Sequence, residues 1–468
     1  MGIRFADKLL EGQARIGISL LNCLIALLGM SVSENHAAVR LLACISFIIF
    51  GILLVSRLNN IYFLARTLFL GGIGYYPMLI KGLAGPDALF SLYEQSTQSL
   101  DIVIVMYVAT SFALFANELG LFFGGHTSVG KNQSVISNKS ELWRTIFYAS
   151  IPIVVLVSYV TAKTAPTIFD ATYASQSTGQ LLGNTQNIGI ICILAMFVAL
   201  YKVKIRYGRA ILIVLAILFV VWAMLLRGMR QDIVTPVFGL LVCYGLISAK
   251  GYRLSLKNVV VLFGFVVFIE FMGVVRAMVA DGIPFHEMWK IFTETLFLKQ
   301  DAYQFGTVSP IATTFANSVY LIDSNSMHLL FGKSFLEFIP RTPPEFMYPG
   351  RPVDYAWVFE MYGLSAGGGI FELAEAYLNF GLIGALIVPF IISYLMARAF
   401  YNAMCKQTAL SYFLLFSFLG MFLRGTWYQI FAFYKSFLTA IILFMFFCAI
   451  HNIFMGEGGK PLRRLKDL

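Results

Sequence analysis

Residues 436–450 run Ser436-Phe437-Leu438-Thr439-Ala440-Ile441-Ile442-Leu443-Phe444-Met445-Phe446-Phe447-Cys448-Ala449-Ile450, with no charged group and no alternation of polar and apolar positions. A membrane barrel strand would alternate with period two over about ten residues. This run is continuous and extends to about 430–453. Roughly twenty mostly apolar residues are what a helix needs to cross the hydrocarbon of a bilayer. Comparable stretches recur at about 16–32, 41–57, 61–80, 101–120, 145–162, 187–201, 210–226, 233–249, 258–280, 369–395 and 408–424. The third is interrupted by Arg66 and by Gly71-Gly72-Ile73-Gly74. The expected fold is therefore an all-α polytopic membrane protein with about 12 transmembrane helices and one large outer loop.

Composition excludes the alternatives. The chain has 468 residues, of which 59% are hydrophobic and 12% charged, with a mean hydropathy of +0.79. A soluble domain carries about 25% charge, and 44 Phe with 23 Tyr are too many to leave solvated in a disordered chain. The net charge of +10 would suggest nucleic acid in a soluble protein. In a membrane protein it reflects the inward bias of Lys and Arg in loops, so no nucleic-acid partner is expected. The six cysteines show no metal-ligand spacing, and neither zinc nor disulfides are expected. Arg4, Lys8 and Arg15 precede the first apolar run, and no small-x-small cleavage site follows, which predicts an uncleaved first span.

Basic residues set the expected sidedness. With the N-terminus inside, the inner connections carry Arg57, Lys131, Lys139, Arg144, the 202–209 cluster, Lys250, Arg253 and Lys257. Outer connection 164–186 has no base, and 82–100 holds acids only. Both termini are expected in the cytoplasm. The organisation is then spans one to nine within 1–280, an outer loop at 281–368, spans ten to twelve within 369–455, and a basic tail at 456–468. A loop that long is expected to fold. It carries helical patterns at 288–298 and 310–321 and a proline-rich turn at 340–344.

Six arginines stand against this rule. Arg227 and Arg230 flank the junction of spans seven and eight, Arg276 lies near the outer end of span nine, Arg341 and Arg351 flank the proline turn, and Arg424 ends span eleven. Guanidinium is planar and permanently charged, and it binds phosphate through paired hydrogen bonds. Each charge-assisted bond contributes about 1.5–3 kcal/mol. Converging arginines suit a lipid-linked diphosphate. The other reading is that each snorkels separately to headgroups. No aspartate pair shows metal-chelating spacing, so neither metal nor other cofactor is expected.

A second group follows the loop. Glu360 and Gly367-Gly368-Gly369 lead into Phe371-Glu372-Leu373-Ala374-Glu375-Ala376-Tyr377-Leu378-Asn379-Phe380-Gly381. Glu372, Glu375 and Asn379 share one helix face, polar near the outer end of an apolar span. Intramembrane carboxylates are candidate functional groups, and Glu372, Glu375, Glu360 and Asp232 are the carboxylates to consider. The alternative is an ion pair with a nearby arginine that locks the bundle. Tyr348, Trp357, Trp427 and Tyr428 fit an interfacial aromatic belt, with stacking on sugar rings as the second reading.

Arg227-Gly228-Met229-Arg230, the long loop before the last spans, Phe338-Ile339-Pro340, Tyr348-Pro349-Gly350-Arg351-Pro352, the glycine-rich entry to Glu372–Gly381 and the late Arg424 together resemble the Wzy-type polymerases of O-antigen and related repeat units. The resemblance covers roughly 220–430 and implies a GT-C-like, metal-independent glycosyltransferase in the bacterial inner membrane, active at its periplasmic face. It implies substrates that are undecaprenyl-diphosphate-linked oligosaccharides, arginines holding the diphosphates, surrounding membrane lipids, and a chain-length regulator protein as partner. Two rivals remain. A twelve-span flippase or transporter fits the span count, although no internal repeat is visible. An O-antigen ligase also has a large late outer loop.

Overall fold

The computed structural model describes residues 2–84, 100–126, 140–164, 181–224, 230–247, 287, 290, 308–343, 348–350, 352, 356–364, 369–427 and 429–455. Every regular element among them is helical. In chain order these are α1 Gly2–Ser31, α2 His36–Val55, α3 Ile61–Ala84, α4 Leu100–His126, α5 Ser140–Thr164, α6 Leu181–Lys202, α7 Gly208–Ile217 with a π-helical continuation Leu218–Met224, and α8 Arg230–Ile247. There follow α9 Val308–Asp323, α10 Lys333–Leu336, α11 Phe338–Arg341, α12 Ala356–Met361, α13 Glu372–Lys406, α14 Ala409–Leu419, α15 Phe422–Trp427 and α16 Phe431–Met455.

Among the described residues, 6 helices are long and apolar enough to cross a membrane: Glu11–Ser31, His36–Val55, Asp101–His126, Ser140–Lys163, Glu372–Lys406 and Phe431–Phe454. Shorter apolar helices occupy Ile61–Tyr75, Gln186–Lys202, Gly208–Val221, Ile233–Ile247 and Ala409–Leu419. The chain is thus an all-α membrane protein. The apolar stretches expected from sequence fall on these helices, except 258–280, which lies outside the described residues.

The chain forms two compact units. The first comprises Met1–Gly130, Tyr303–Tyr401 and Arg424–Ala432. In it α1 packs on α2 and α4, and α3 packs on α2, α4 and α9. The glycines that interrupt the third apolar stretch do not break α3; they let neighbours approach. A Cβ on Gly71 would lie 2.4 Å from the Phe50 ring, and one on Gly74 2.2 Å from Thr110 Oγ1. On α4, Gly120 and Gly124 sit under the backbone of α13, where a Cβ would come within 2.5 Å of Phe390 O and 2.4 Å of Tyr394 O. Small residues four apart give such close backbone approach in membrane helices.

Helix α13, which contains most of the span expected over 369–395, is not one straight helix. It breaks at Gly381, where φ is 61° and ψ −143°, a backbone region in essence limited to glycine. The chain folds back there. A Cβ on Gly384 would lie 2.0 Å from Ala376 O, whereas residues eight apart in a straight helix are separated by about 12 Å. The first limb, 372–380, is capped from outside. Leu330 N–H donates to Leu378 O at 2.9 Å and Phe331 N–H to Asn379 O at 3.0 Å, while Gly332 N–H donates to Asn379 Oδ1 at 3.0 Å. These bonds satisfy carbonyl groups that the broken helix leaves open. Of the expected turn at 340–344, Pro340 and Arg341 are helical in α11, residues 342–343 bend, and 344 lies outside the described residues. Pro340 is tolerated because the first turn of a helix has no internal partner for its missing N–H.

The second unit comprises Lys131–Ala302, Asn402–Leu423 and Phe433–Leu468. Its centre is α6, which packs on α5, α7, α8 and α14. Phe219 of the π-helical segment lies over Gly189, 2.4 Å from a notional Cβ, and Ser436 Oγ donates to the buried Asn187 Oδ1 at 3.1 Å.

Gly381→Ala and Gly384→Ala are expected to lower thermal stability in detergent by about 1–3 kcal/mol each. Gly51→Ala, where a Cβ meets nothing within 4 Å, is expected to be neutral or slightly stabilising. Unfolding followed by tryptophan fluorescence checks all three.

Candidate functional site

An arginine in the middle of an apolar stretch must find a partner, because a charge in hydrocarbon costs about 2.5–3.5 kcal/mol even on the mildest scale. Arg66, on α3, is 0% exposed and its partner Glu372 is 0% exposed as well. Nη1 donates to Glu372 Oε2 at 2.5 Å, and Nη2 to Oε1 at 2.5 Å. Nε reaches Ser393 Oγ at 3.3 Å, and Nη1 also reaches Thr426 Oγ1 at 3.4 Å. One guanidinium thus touches Glu372 and Ser393, which a straight helix would hold about 31 Å apart. The fold-back at Gly381 makes that contact possible. It sets Glu372 beside the middle of the second limb, at Ser393.

The polar contacts continue through the first unit. Ser393 Oγ donates to Asn117 Oδ1 at 2.7 Å. Asn117 Nδ2 donates to Thr67 Oγ1 at 3.2 Å and to Glu118 Oε1 at 3.3 Å. Glu118, nearly fully buried, pairs with Arg57 and with Arg15 Nε at 3.6 Å. Two arginines that sequence assigns to orientation therefore neutralise an intramembrane glutamate.

Glu375 and Asn379 form a second cluster on the same limb, and both are buried. Ser334 Oγ donates to Glu375 Oε1 at 2.9 Å, and Ile430 N–H donates to Oε2 at 3.3 Å. Asn379 Nδ2 donates to Ser334 Oγ at 2.7 Å. The shared face expected for Glu372, Glu375 and Asn379 is thus turned into protein, with Glu372 in the ion pair that was its alternative reading. Both carboxylates lie in the first turn of α13, where the positive end of the helix dipole favours them. Beyond this cluster, Tyr377 Oη donates to Asp323 Oδ1 at 3.1 Å; burial raises the Asp323 carboxyl above its ordinary range, and the hydroxyl partly opposes that.

The other expected residues fall as follows. Arg341 is buried and donates to Glu337 Oε2 at 2.7 Å. Arg424 is half-buried on α15, on the short segment that also supplies Thr426 and Ile430. Trp427 stands edge-on to Phe69 at 4.7 Å, and Tyr348 is exposed. Glu360 and Trp357 lie on α12, and Arg230 and Asp232 on the first turn of α8, with side chains outside the described set. Arg227, Arg276, Arg351 and Tyr428 lie outside the described residues altogether. Arg341, Arg424 and the α13 carboxylates belong to the first unit, Arg230 and Asp232 to the second. Among the described residues, no three His, Cys, Asp or Glu side chains are grouped to hold a metal ion.

Sequence reasoning missed Arg66, Asn117, Glu118 and Ser393 as partners. The available signal was a charge inside an apolar run, at Arg66 and again at Glu118. The chain defines a membrane protein built around buried ion pairs. It matches no protein-family model, no curated protein and no solved structure.

Removing one member of a buried pair leaves an uncompensated charge and costs about 3–5 kcal/mol. Arg66→Met and Glu372→Gln are each expected to destabilise by that order, and the double variant by clearly less than the sum. A double-mutant cycle on thermal unfolding measures the coupling.

Proposed function

We propose that the protein polymerises lipid-linked oligosaccharide repeat units at the periplasmic face of the bacterial inner membrane, within a twelve-span, GT-C-like architecture. The growing glycan passes from one undecaprenyl diphosphate to the non-reducing end of a fresh lipid-linked unit. The observation that carries this reading is that Glu375 accepts a bond from Ile430 N–H. The limb bearing two carboxylates is thereby tied to the segment bearing Arg424.

In this reading an acceptor hydroxyl attacks the anomeric carbon, the bond to the lipid diphosphate breaks, and the leaving diphosphate carries away the negative charge. Arg424, with Arg351 of the same unit, stabilises that charge, which is where fixed cations act most strongly. A carboxylate that takes the acceptor's proton contributes about 10²–10⁴-fold. Glu372 is committed to Arg66 and holds the limb in place. The base is then Glu375 or Glu360, both of the first unit.

A flippase reading draws support from the broken α13 and from charges buried well inside it, features found in transporters. Proteoliposomes loaded with labelled undecaprenyl-diphosphate repeat units separate the two. A polymerase lengthens the glycan; a flippase moves the label across and leaves its length unchanged.

Arg424→Ala is expected to insert and fold normally and to lose chain extension by about 100-fold or more. Arg424→Lys is expected to fail too, because ammonium lacks the paired geometry. Extension is expected to survive EDTA. Polymer of normal length from Arg424→Ala, or strict magnesium dependence, would contradict the assignment.

A further inference from the structure

Between α6 and α7 the chain turns through residues 203–207, where the two helices leave a cavity of about 450 Å³. It is lined by Lys204, Arg206 and Arg209 together with Leu200 and Ile205. The three cations are exposed, and among the described residues no carboxylate pairs with them. The neighbouring Lys202 is already engaged: it donates to Gln407 Oε1 at 2.8 Å and stands 5.6 Å from the Tyr412 ring centre.

The cavity has structure beyond its charge. Arg206 Nη2 donates to the Tyr207 hydroxyl at 3.0 Å, and its guanidinium carbon lies 4.9 Å from the centre of that ring. Tyr207 has φ of 58°, in the left-handed region that residues with side chains seldom adopt. Retained strain of this kind clusters at ligand sites. Here the Tyr207 ring stands against Arg206, beside a hollow lined by three like charges, an arrangement that repels itself until an anion enters.

We infer that this cavity binds the phosphate of an anionic phospholipid headgroup. Both flanking helices, Gln186–Lys202 and Gly208–Val221, are apolar, so the cavity opens where such helices leave the hydrocarbon and the nearest anions are lipid phosphodiesters. Basic pockets between membrane helices bind such headgroups, and the apolar lining residues Leu200 and Ile205 suit the adjoining acyl carbons of the lipid. The site is independent of the polymerase reading and lies in the second unit. Soluble phosphates share the chemistry, so the test includes one.

Native mass spectrometry of the full chain in detergent measures retention of cardiolipin, phosphatidylcholine and inorganic pyrophosphate. Cardiolipin is expected to be held at least about tenfold more tightly than phosphatidylcholine. The triple variant Lys204→Gln, Arg206→Gln, Arg209→Gln is expected to remove that preference while circular dichroism stays unchanged. Tyr207→Phe keeps every charge but frees Arg206, and is expected to weaken retention by about threefold. Arg398→Gln, an exposed arginine elsewhere, is expected to have no effect. Equal retention by the triple variant, an equal loss with Arg398→Gln, or no loss with Tyr207→Phe would overturn the built site. Pyrophosphate binding without lipid binding would overturn the lipid as its source.

Discussion

A guanidinium cannot sit in a dry helical interior unless an anion meets it, and the first unit is organised by that requirement at Arg66. The pair with Glu372 demands that the start of α13 lie beside α3, at the level of Ser393. A helix running straight from Glu372 to Lys406 cannot satisfy it. The break at Gly381, the cap supplied by residues 330–332 and the close fit of Gly384 on Ala376 are the covalent and steric conditions under which the pair forms. The ion pair itself need not add net stability over an apolar core. Its effect is to make other placements of the 372–380 limb costly.

Fixing that limb has consequences for chemistry. Glu375 and Asn379 follow from the same short helix, so their positions against Ser334 and Ile430 depend on where Glu372 is held. In the proposed reaction, a base and phosphate-binding cations must keep their spacing while two long lipid carriers enter and leave. A limb pinned at both ends, by Arg66 at one and by the 330–332 backbone at the other, offers such spacing. The Ser393–Asn117–Glu118 contacts extend the fixed frame to Arg15 and Arg57, tying α1, α3, α4 and α13 by polar bonds in surroundings where apolar packing alone discriminates poorly between arrangements.

Much of the fold was legible because lipid imposes a simple rule: a helix that meets hydrocarbon must be apolar for its whole length. The stretch 430–453 became α16, and 41–57 overlaps α2 almost entirely. The break in α13 was not legible. A glycine amid apolar residues is tolerated in a helix, and the fold-back at Gly381 goes with bonds from residues 330–332, some fifty residues earlier, to Leu378 and Asn379. The third stretch is interrupted for the same reason that it matters. Arg66 spoils its hydropathy, and the acid that pairs with it lies 306 residues away in sequence, beyond any local pattern. Arg15 and Arg57 fitted the orientation rule so well that their second role, neutralising Glu118, left no trace in a count of charges. The carboxylates of Glu372 and Glu375 were legible as functional candidates, but which of them is committed to an ion pair was not.

The most direct test is a cryo-EM map of the full chain in a lipid nanodisc, at a resolution that places side chains. The account predicts density joining the Arg66 guanidinium to both Glu372 and Ser393, with the chain reversing at Gly381. A straight helix from 372 to 406, with Arg66 turned toward lipid or solvent, would contradict it.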